Sequence, residues 1–544
     1  MGTGPFYAIF PAIVHNLPEK TATISGTMEN SSDVVIIGAG HNGLVAAILL
    51  ARAGQKVIVL EEKSTIGGAA KTEYPFPKAP RLGTSTGAYL LGVMPPELIA
   101  KLGLKLKLVR RDPHYFLPTT DHRYLLFGSD ASAMREQFLE FFSEREWKAN
   151  AALNLEVSQL REDLAPGMLE EPLSMEATAE RYIRPALRQT FMNLVTQPVE
   201  NYLSRFGFES ELLLAMYAVT DGFSGLSAGF GTEGTGLNFL FHNMCRLPGS
   251  DGTWMIAEGG MGSVTKELAR LATEAGAQIY TEACVESVMT SANRVTGVAL
   301  NDGREIQAPV VLSNADPFRT RALAGAEKFP ASFNERLDGF RRTGTTLKVN
   351  LALDRLPTFK CLAENRGQHN ATIHLLPHGK DVIRRVRQAF ETVKDGRLAD
   401  FPTIEWYIHT QADPSLQDEH KRHNAAFFVE WVPYELKDTT WEVEESRYVR
   451  HLFDIAEQFA PGFTDSVVDV FALTPPKIEK HFGISYGHIH HVDNTFGFDR
   501  RMPYATPLAG LYCCSAGCHP AGAVMGCAGH NAAIRILRDL GESP

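Results

Sequence analysis

The residues best placed to do chemistry come early: Gly38-Ala39-Gly40-His41-Asn42-Gly43, between an apolar run (Val34-Val35-Ile36-Ile37) and an Ala/Leu-rich segment at 44–53. Strand, glycine turn and helix in this order bind the pyrophosphate of a dinucleotide. The first glycine permits the tight turn, the second lets backbone N–H groups approach the phosphates, and the third lets the helix pack closely on the strand. A second apolar strand at 56–60 ends in Glu61, with Glu62 beside it. That places a carboxylate at the roughly 20-residue offset where it takes the ribose hydroxyls of an adenosine. The pattern predicts a cofactor that contains ADP, held by Gly38, Gly40, Asn42, Gly43, Glu61 and Glu62.

Three further segments narrow the cofactor. Lys63-Ser64-Thr65-Ile66-Gly67-Gly68-Ala69-Ala70-Lys71-Thr72 resembles the second glycine motif of FAD-binding oxidoreductases. Trp254-Met255-Ile256-Ala257-Glu258-Gly259-Gly260-Met261-Gly262-Ser263 precedes a helical pattern, and Ala516-Gly517-Cys518-His519-Pro520-Ala521-Gly522-Ala523-Val524-Met525-Gly526 opens the last one. Together they resemble the phytoene desaturase-like FAD-dependent oxidoreductases, and within them the pyridine nucleotide-disulfide oxidoreductase domain-containing protein 2 subgroup, from Ser31 to the C-terminus. The resemblance implies FAD as cofactor, with Gly67, Gly68, Ala69, Lys71, Gly517, Gly522, Val524 and Met525 around it and the backbone of Val285 at the adenine edge. Many relatives carry Arg where this chain has Ala69, so Lys71 is expected to take over a phosphate-binding or loop-ordering role. A final helix expected to start near Ala523 would point its positive dipole end at the pyrimidine side of the flavin.

His488, His490 and His491 lie just upstream. The resemblance places a His at the position of His491, and a side chain that ionises near neutrality could move a proton during hydride transfer. His491 is therefore the catalytic candidate. Strand alternation would turn His488 and His490 to one face and His491 to the other, against a three-His metal site. Cys513, Cys514, Cys518, His519, Cys527 and His530 match no paired-ligand spacing, so no metal is expected. A second apparent fingerprint, Gly229-Phe230-Gly231-Thr232-Glu233-Gly234, has no β-branched run before it and reads as a cap loop. There is also no Cys-x4-Cys redox pair beside the FAD loop, which speaks against disulfide-reductase chemistry.

The elements that must position these residues come in alternating blocks. A chain of 544 residues exceeds one hydrophobic core. The expected fold class is α/β: a Rossmann-type FAD-binding domain (glutathione reductase/amine oxidase-like) built from 31–128, 252–335 and 501–544, interleaved with an α+β substrate-binding cap from 129–251 and 336–500. Helices are expected at 132–151, 200–216 and 444–459, strands at 346–353 and 425–431, and a hairpin over Asn293-Arg294. Residues 1–30 read as a disordered extension, with Met28 a candidate natural start. The net charge of -10 speaks against nucleic-acid binding. The one basic stretch, 101–111, alternates with leucines and reads as a half-exposed strand. No apolar run reaches the roughly 18 residues of a membrane span. Neither a basic secretory leader nor an Arg-rich transit pattern is present, so a cytoplasmic location is expected, with seven cysteines suiting a reducing compartment.

The resemblance implies hydride transfer to or from flavin on a lipophilic small molecule, isoprenoid or polyene-like, by desaturation, saturation or isomerisation, with peripheral membrane contact to reach it. Two alternatives stay open. One is a flavin amine oxidase, whose aromatic cage would come from Tyr486, Phe496 or Tyr504. The other is a non-catalytic lipid-binding or scaffold protein of the same fold.

Overall fold

The computed structural model describes residues 28–542; the N-terminal extension expected at 1–30 lies outside them apart from its last three residues. Five short strands form a parallel sheet in the order Leu511–Cys513, Val310–Ser313, Val34–Ile37, Val57–Leu60, Gln278–Tyr280. The Val34–Ile37, Val57–Leu60 and Val310–Ser313 strands are buried throughout, as a parallel sheet covered on both faces requires. The glycine-loop helix His41–Arg52 packs on the helix Met261–Glu274 and the C-terminal helix Cys527–Asp539. An antiparallel sheet of Val285–Ser291, Arg294–Leu300 and Glu305–Gln307 joins the same core through Val288, Val298 and Ile306.

The cap is built on a seven-stranded sheet in the order Val467–Leu473, Thr346–Leu353, His423–Glu430, Thr403–Tyr407, Thr372–Leu375, Tyr115–Pro118, Tyr124–Phe127. Its two faces differ sharply. Leu347, Val349, Leu351, Ile404, Trp406, Phe427 and Val429 form an apolar core with Leu452, Phe453 and Phe459 of the helix Trp441–Phe459. Residues of opposite parity line up across the other face: Lys348 pairs in register with Phe428 and Phe428 with Glu405, while Glu405 pairs with His374. A second cap layer holds helices that include Ala131–Phe141, Glu144–Leu164, Glu211–Tyr217 and Thr235–His242.

Several sequence expectations need correction. The first dinucleotide segment does not run to residue 128, because Tyr115–Pro118 and Tyr124–Phe127 pair into the cap sheet through Thr372–Leu375, a long-range pairing that leaves no local signal. The helix expected at 132–151 breaks at Ser143, whose hydroxyl accepts the Glu146 N–H at 3.2 Å as an N-cap. That expected at 200–216 breaks around Gly207 (φ +72°) and restarts after Ser210. The basic stretch opens on the end of the helix Pro96–Leu102, stopped by left-handed Gly103, and becomes a strand only at Leu108–Val109. The hairpin turn falls one residue early, on Ala292 and Asn293.

Candidate functional site

A cavity of about 680 Å³ lies where the carboxyl ends of the parallel strands meet the cap, the position at which open α/β sheets bind ligands. Of the site residues expected from sequence, all line it except Gly43 and Gly517. Gly43 acts behind the wall: a Cβ there would come within 2.4 Å of the Gly38 carbonyl, so helix and strand could not approach. Gly517 instead packs against Pro317 and Val492.

The two glycine motifs form one rim. The Gly67 N–H donates to the Ala39 carbonyl at 2.9 Å, bringing left-handed Gly67 and Gly68 beside Gly40. A Cβ on Gly40 would lie 2.6 Å from Asn314 Nδ2. Glu61 accepts the N–H groups of Ala39 at 2.9 Å and Lys63 at 3.0 Å, and its burial pushes the carboxyl upward. Each oxygen keeps a free lone pair for a further donor. Glu62 pairs with Arg319 at 2.9 Å. Lys71 is committed to Glu73 at 3.1 Å, and Glu73 also meets His481 at 2.9 Å, which fits the loop-ordering role.

The residues fit a dinucleotide. His41 Nε2 and Asn42 Oδ1 are buried without a partner on the glycine-loop wall, and polar atoms in that state call for a ligand. At the other end, Gly522 lies at a bend of the chain on the cavity wall. Its N–H donates to Asn494 Oδ1 at 2.8 Å, and its carbonyl lies 2.6 Å from His490 Nδ1. A Cβ here would collide with His490 at 2.5 Å. Because the chain bends through Gly522 to Val524 and the Met525 N–H turns back to the Ala523 carbonyl at 3.0 Å, the last helix begins at Cys527 rather than near Ala523, so its N-terminus lies behind the cavity wall and not on it.

The three histidines sit in turns, not on a strand. His488 lies 3.3 Å from Asp493, His490 bridges toward the carbonyls of Gly522 and Ser224, and only His490 and His491 reach the cavity. His491 adopts a left-handed backbone (φ +60°), a strained state for a residue with a Cβ, and its Nδ1 has no partner. Burial brings its pKa down to about 4 against the pull of Asp316, with His488 and Arg501 adding to the drop. The ionisation expected near neutrality is therefore moved well below it. Arg501 secures this turn by donating to the carbonyls of Val492, Asp493, Ala516 and Cys518 at 3.0–3.1 Å.

Sequence reasoning missed the cap wall. Lys348, Glu405, Tyr407, Phe428 and Thr372, all from the polar face of the cap sheet, line the cavity with Tyr89, Arg111 and Asp221. Lys348 Nζ sits 4.0 Å from the Tyr89 ring centre and 4.4 Å from that of Phe428. Burial lowers its pKa to about 7, opposed by Glu405. Burial likewise raises Glu405, which accepts the Tyr407 hydroxyl. The signal was present: a lysine and a glutamate at the middle of strands otherwise composed of buried residues. Tyr486, Phe496 and Tyr504 do not line the cavity; on the cap-sheet side its aromatic residues are Tyr89, Tyr407 and Phe428. Among the described residues no His/Cys/Asp/Glu group is arranged to hold a metal ion, and the crowded C-terminal cysteines are free and buried. Nor is any described helix long and apolar enough to cross a membrane.

Glycine rims on a parallel sheet, opening on an interleaved cap, define the class: the protein is an FAD-dependent oxidoreductase. Residues 43–384, more than half of the chain, match the family described as flavin containing amine oxidoreductase, and the chain belongs to that family. It is 35% identical to pyridine nucleotide-disulfide oxidoreductase domain-containing protein 2 of Mus musculus, over 95% of each chain. It is 26% identical to the zeta-carotene-forming phytoene desaturase of Myxococcus xanthus, covering 84% of this chain and 83% of that one. Among solved structures, a triple mutant of putrescine oxidase redesigned at its cofactor site shares the fold with a TM-score of 0.60 at 15% identity, covering 94% of this chain and 98% of that one.

Proposed function

We propose that the protein oxidises a carbon next to nitrogen in an amine, and that the polar face of the cap sheet is its substrate wall. FAD, when bound, supplies a two-electron acceptor for that carbon–hydrogen bond. The assignment of holding residues is part of the proposal: the Gly38–Gly43 loop at the pyrophosphate, Glu61 at the adenosine ribose, the Val285 backbone at the adenine, and Gly522 to Met525 at the flavin end. One observation carries the substrate reading. A purely hydrocarbon ligand would leave the Lys348 amine desolvated against the rings of Tyr89 and Phe428 with no hydrogen-bonding partner among the described residues, at a cost of several kcal/mol. An amine gives it one. It arrives as an ammonium ion and must lose a proton before its carbon can be oxidised; Lys348, half neutral near pH 7, can take that proton. The rings of Tyr89 and Phe428 hold the resulting charge at their faces. His491, neutral above about pH 4, offers its unpartnered nitrogen to the same space.

A second reading keeps a lipophilic polyene or isoprenoid as substrate, supported by the 26% identity to the phytoene desaturase and by apolar lining residues such as Leu90, Val93 and Phe239. The deciding experiment mixes the holoprotein anaerobically with a panel of primary and secondary amines and, separately, with a polyene in detergent micelles. Loss of the visible flavin band with amines alone is expected. Bleaching by the polyene alone would overturn the amine reading.

A further inference from the structure

The wall facing the cap helices carries a carboxylate that the proposed chemistry does not use. Asp221 sits in the π-type turn Ala218–Phe223 that follows the helix Glu211–Tyr217. Such turns redirect a side chain out of the regular helical register and recur at functional sites. Asp221 Oδ2 accepts from Asn243 Nδ2 at 3.2 Å, and Oδ1 lies 3.8 Å from His242 Nδ1. Burial lowers His242 to about 4, so it is neutral at pH 7 and gives no counter-charge. Among the described residues no lysine or arginine is ion-paired with Asp221. The arginines in this part of the lining meet other groups. Arg110 pairs with Asp251 at 3.1 Å, Arg111 donates to Thr372 Oγ1 at 2.8 Å and the Trp254 carbonyl at 3.1 Å, and Arg161 reaches the Asn243 carbonyl at 3.5 Å with its Nε 3.6 Å from Glu162. Burial, opposed by the Asn243 hydrogen bond and reinforced by the charge of Glu405, pushes the Asp221 carboxyl up to about 7. The neighbouring cavity wall is aromatic, with Tyr115, Tyr217, Phe239, Phe241 and Trp254.

We propose that Asp221 and these rings receive a second, cationic group of the substrate, so that the preferred substrate is an amine carrying an ammonium group remote from the carbon that is oxidised. A lone carboxylate among ring faces attracts an ammonium ion through both charge and the ring quadrupoles. The same surroundings penalise a carboxylate-bearing ligand. The inference rests on the amine reading and supplies its selectivity.

The test titrates the holoprotein anaerobically with linear monoamines and with α,ω-diamines from butane to octane, reading perturbation and bleaching of the flavin band. At the best chain length the diamine should bind at least about tenfold more tightly than the monoamine, as expected for a desolvated charge pair. In Asp221→Asn, which keeps the shape and the Asn243 contact, the preference should vanish while monoamine affinity stays unchanged. Asp221→Glu should restore it at a different chain length, a result that a merely structural aspartate would not give. Equal affinity of both amine types for the wild type, or a preference that survives Asp221→Asn, overturns the inference. A diamine preference without bleaching by any amine supports the Asp221 site while overturning amine oxidation.

Discussion

Replacing Lys348 with methionine separates the two consequences of burying a lysine beside a redox site. The ordinary lysine value of 10.5 falls to about 7 in the folded chain, which corresponds to about 5 kcal/mol against the charged form. At pH 7 about half of the side chains are neutral, against roughly one in three thousand for an exposed lysine. If that amine is the base, flavin reduction by substrate should accelerate as pH rises through about 7 and level off above it. Lys348→Met should lose this limb and slow reduction by roughly 100- to 10,000-fold. Stability should move the other way. Between about pH 7 and 10.5 the unfolded chain holds a proton that the folded chain has released, so wild-type stability climbs with pH over that window. Methionine carries no such penalty. Below pH 7 the variant should gain up to about 5 kcal/mol, offset by about 1–2 kcal/mol for the lost contacts with Tyr89 and Phe428, and the gap should fade toward pH 10.5. Denaturant unfolding with FAD in equal excess measures the second effect, and anaerobic rapid mixing the first. A stability gap independent of pH would refute the burial argument; an intact kinetic limb would remove Lys348 from the chemistry.

Other predictions bear on the remaining walls. Gly40→Val should purify without FAD, because its first side-chain carbon would sit 2.6 Å from Asn314 Nδ2; a wild-type ratio of flavin to protein absorbance would disprove the loop's role. Glu61→Ala should weaken FAD binding at least about tenfold, by loss of ribose contacts and of the Ala39 and Lys63 anchors, with the visible spectrum of the bound fraction unchanged. His491→Ala should retain FAD yet slow flavin reduction, and the wild-type limb it removes should lie near pH 4, where the protonated ring stops accepting protons; a lost limb near neutrality would contradict its burial.

The dinucleotide half was legible because its signals are local. Gly38, Gly40, Gly43 and Glu61 stand at a turn, a close approach and a strand end within one βαβ unit. The cap resisted reading because its wall is assembled from strands distant in sequence. Lys348, Glu405 and Thr372 meet only through the register of Thr346–Leu353, His423–Glu430, Thr403–Tyr407 and Thr372–Leu375, and no local pattern fixes that register. His491 was found by resemblance, but its ionisation was misplaced, since burial and the Arg501-braced turn are properties of the folded chain. Helix ends failed where a capping serine or a left-handed glycine interrupted an amphipathic run, at Ser143 and Gly207.

The parity of the cap sheet has a consequence for how such a protein can diversify. Along Thr346–Leu353 and Thr403–Tyr407 every second residue is held by the core beneath Trp441–Phe459, while Lys348, Glu405 and Tyr407, of the opposite parity, face the cavity. Folding and selectivity are thus written in alternate letters of the same strands. Substitutions at 348, 372, 405, 407 and 428 can exchange a basic wall for an acidic or an apolar one while Leu347, Val349, Trp406 and Phe427 go on holding the sheet together, so one scaffold can pass between chemically distant substrates by single steps that each leave a folded protein.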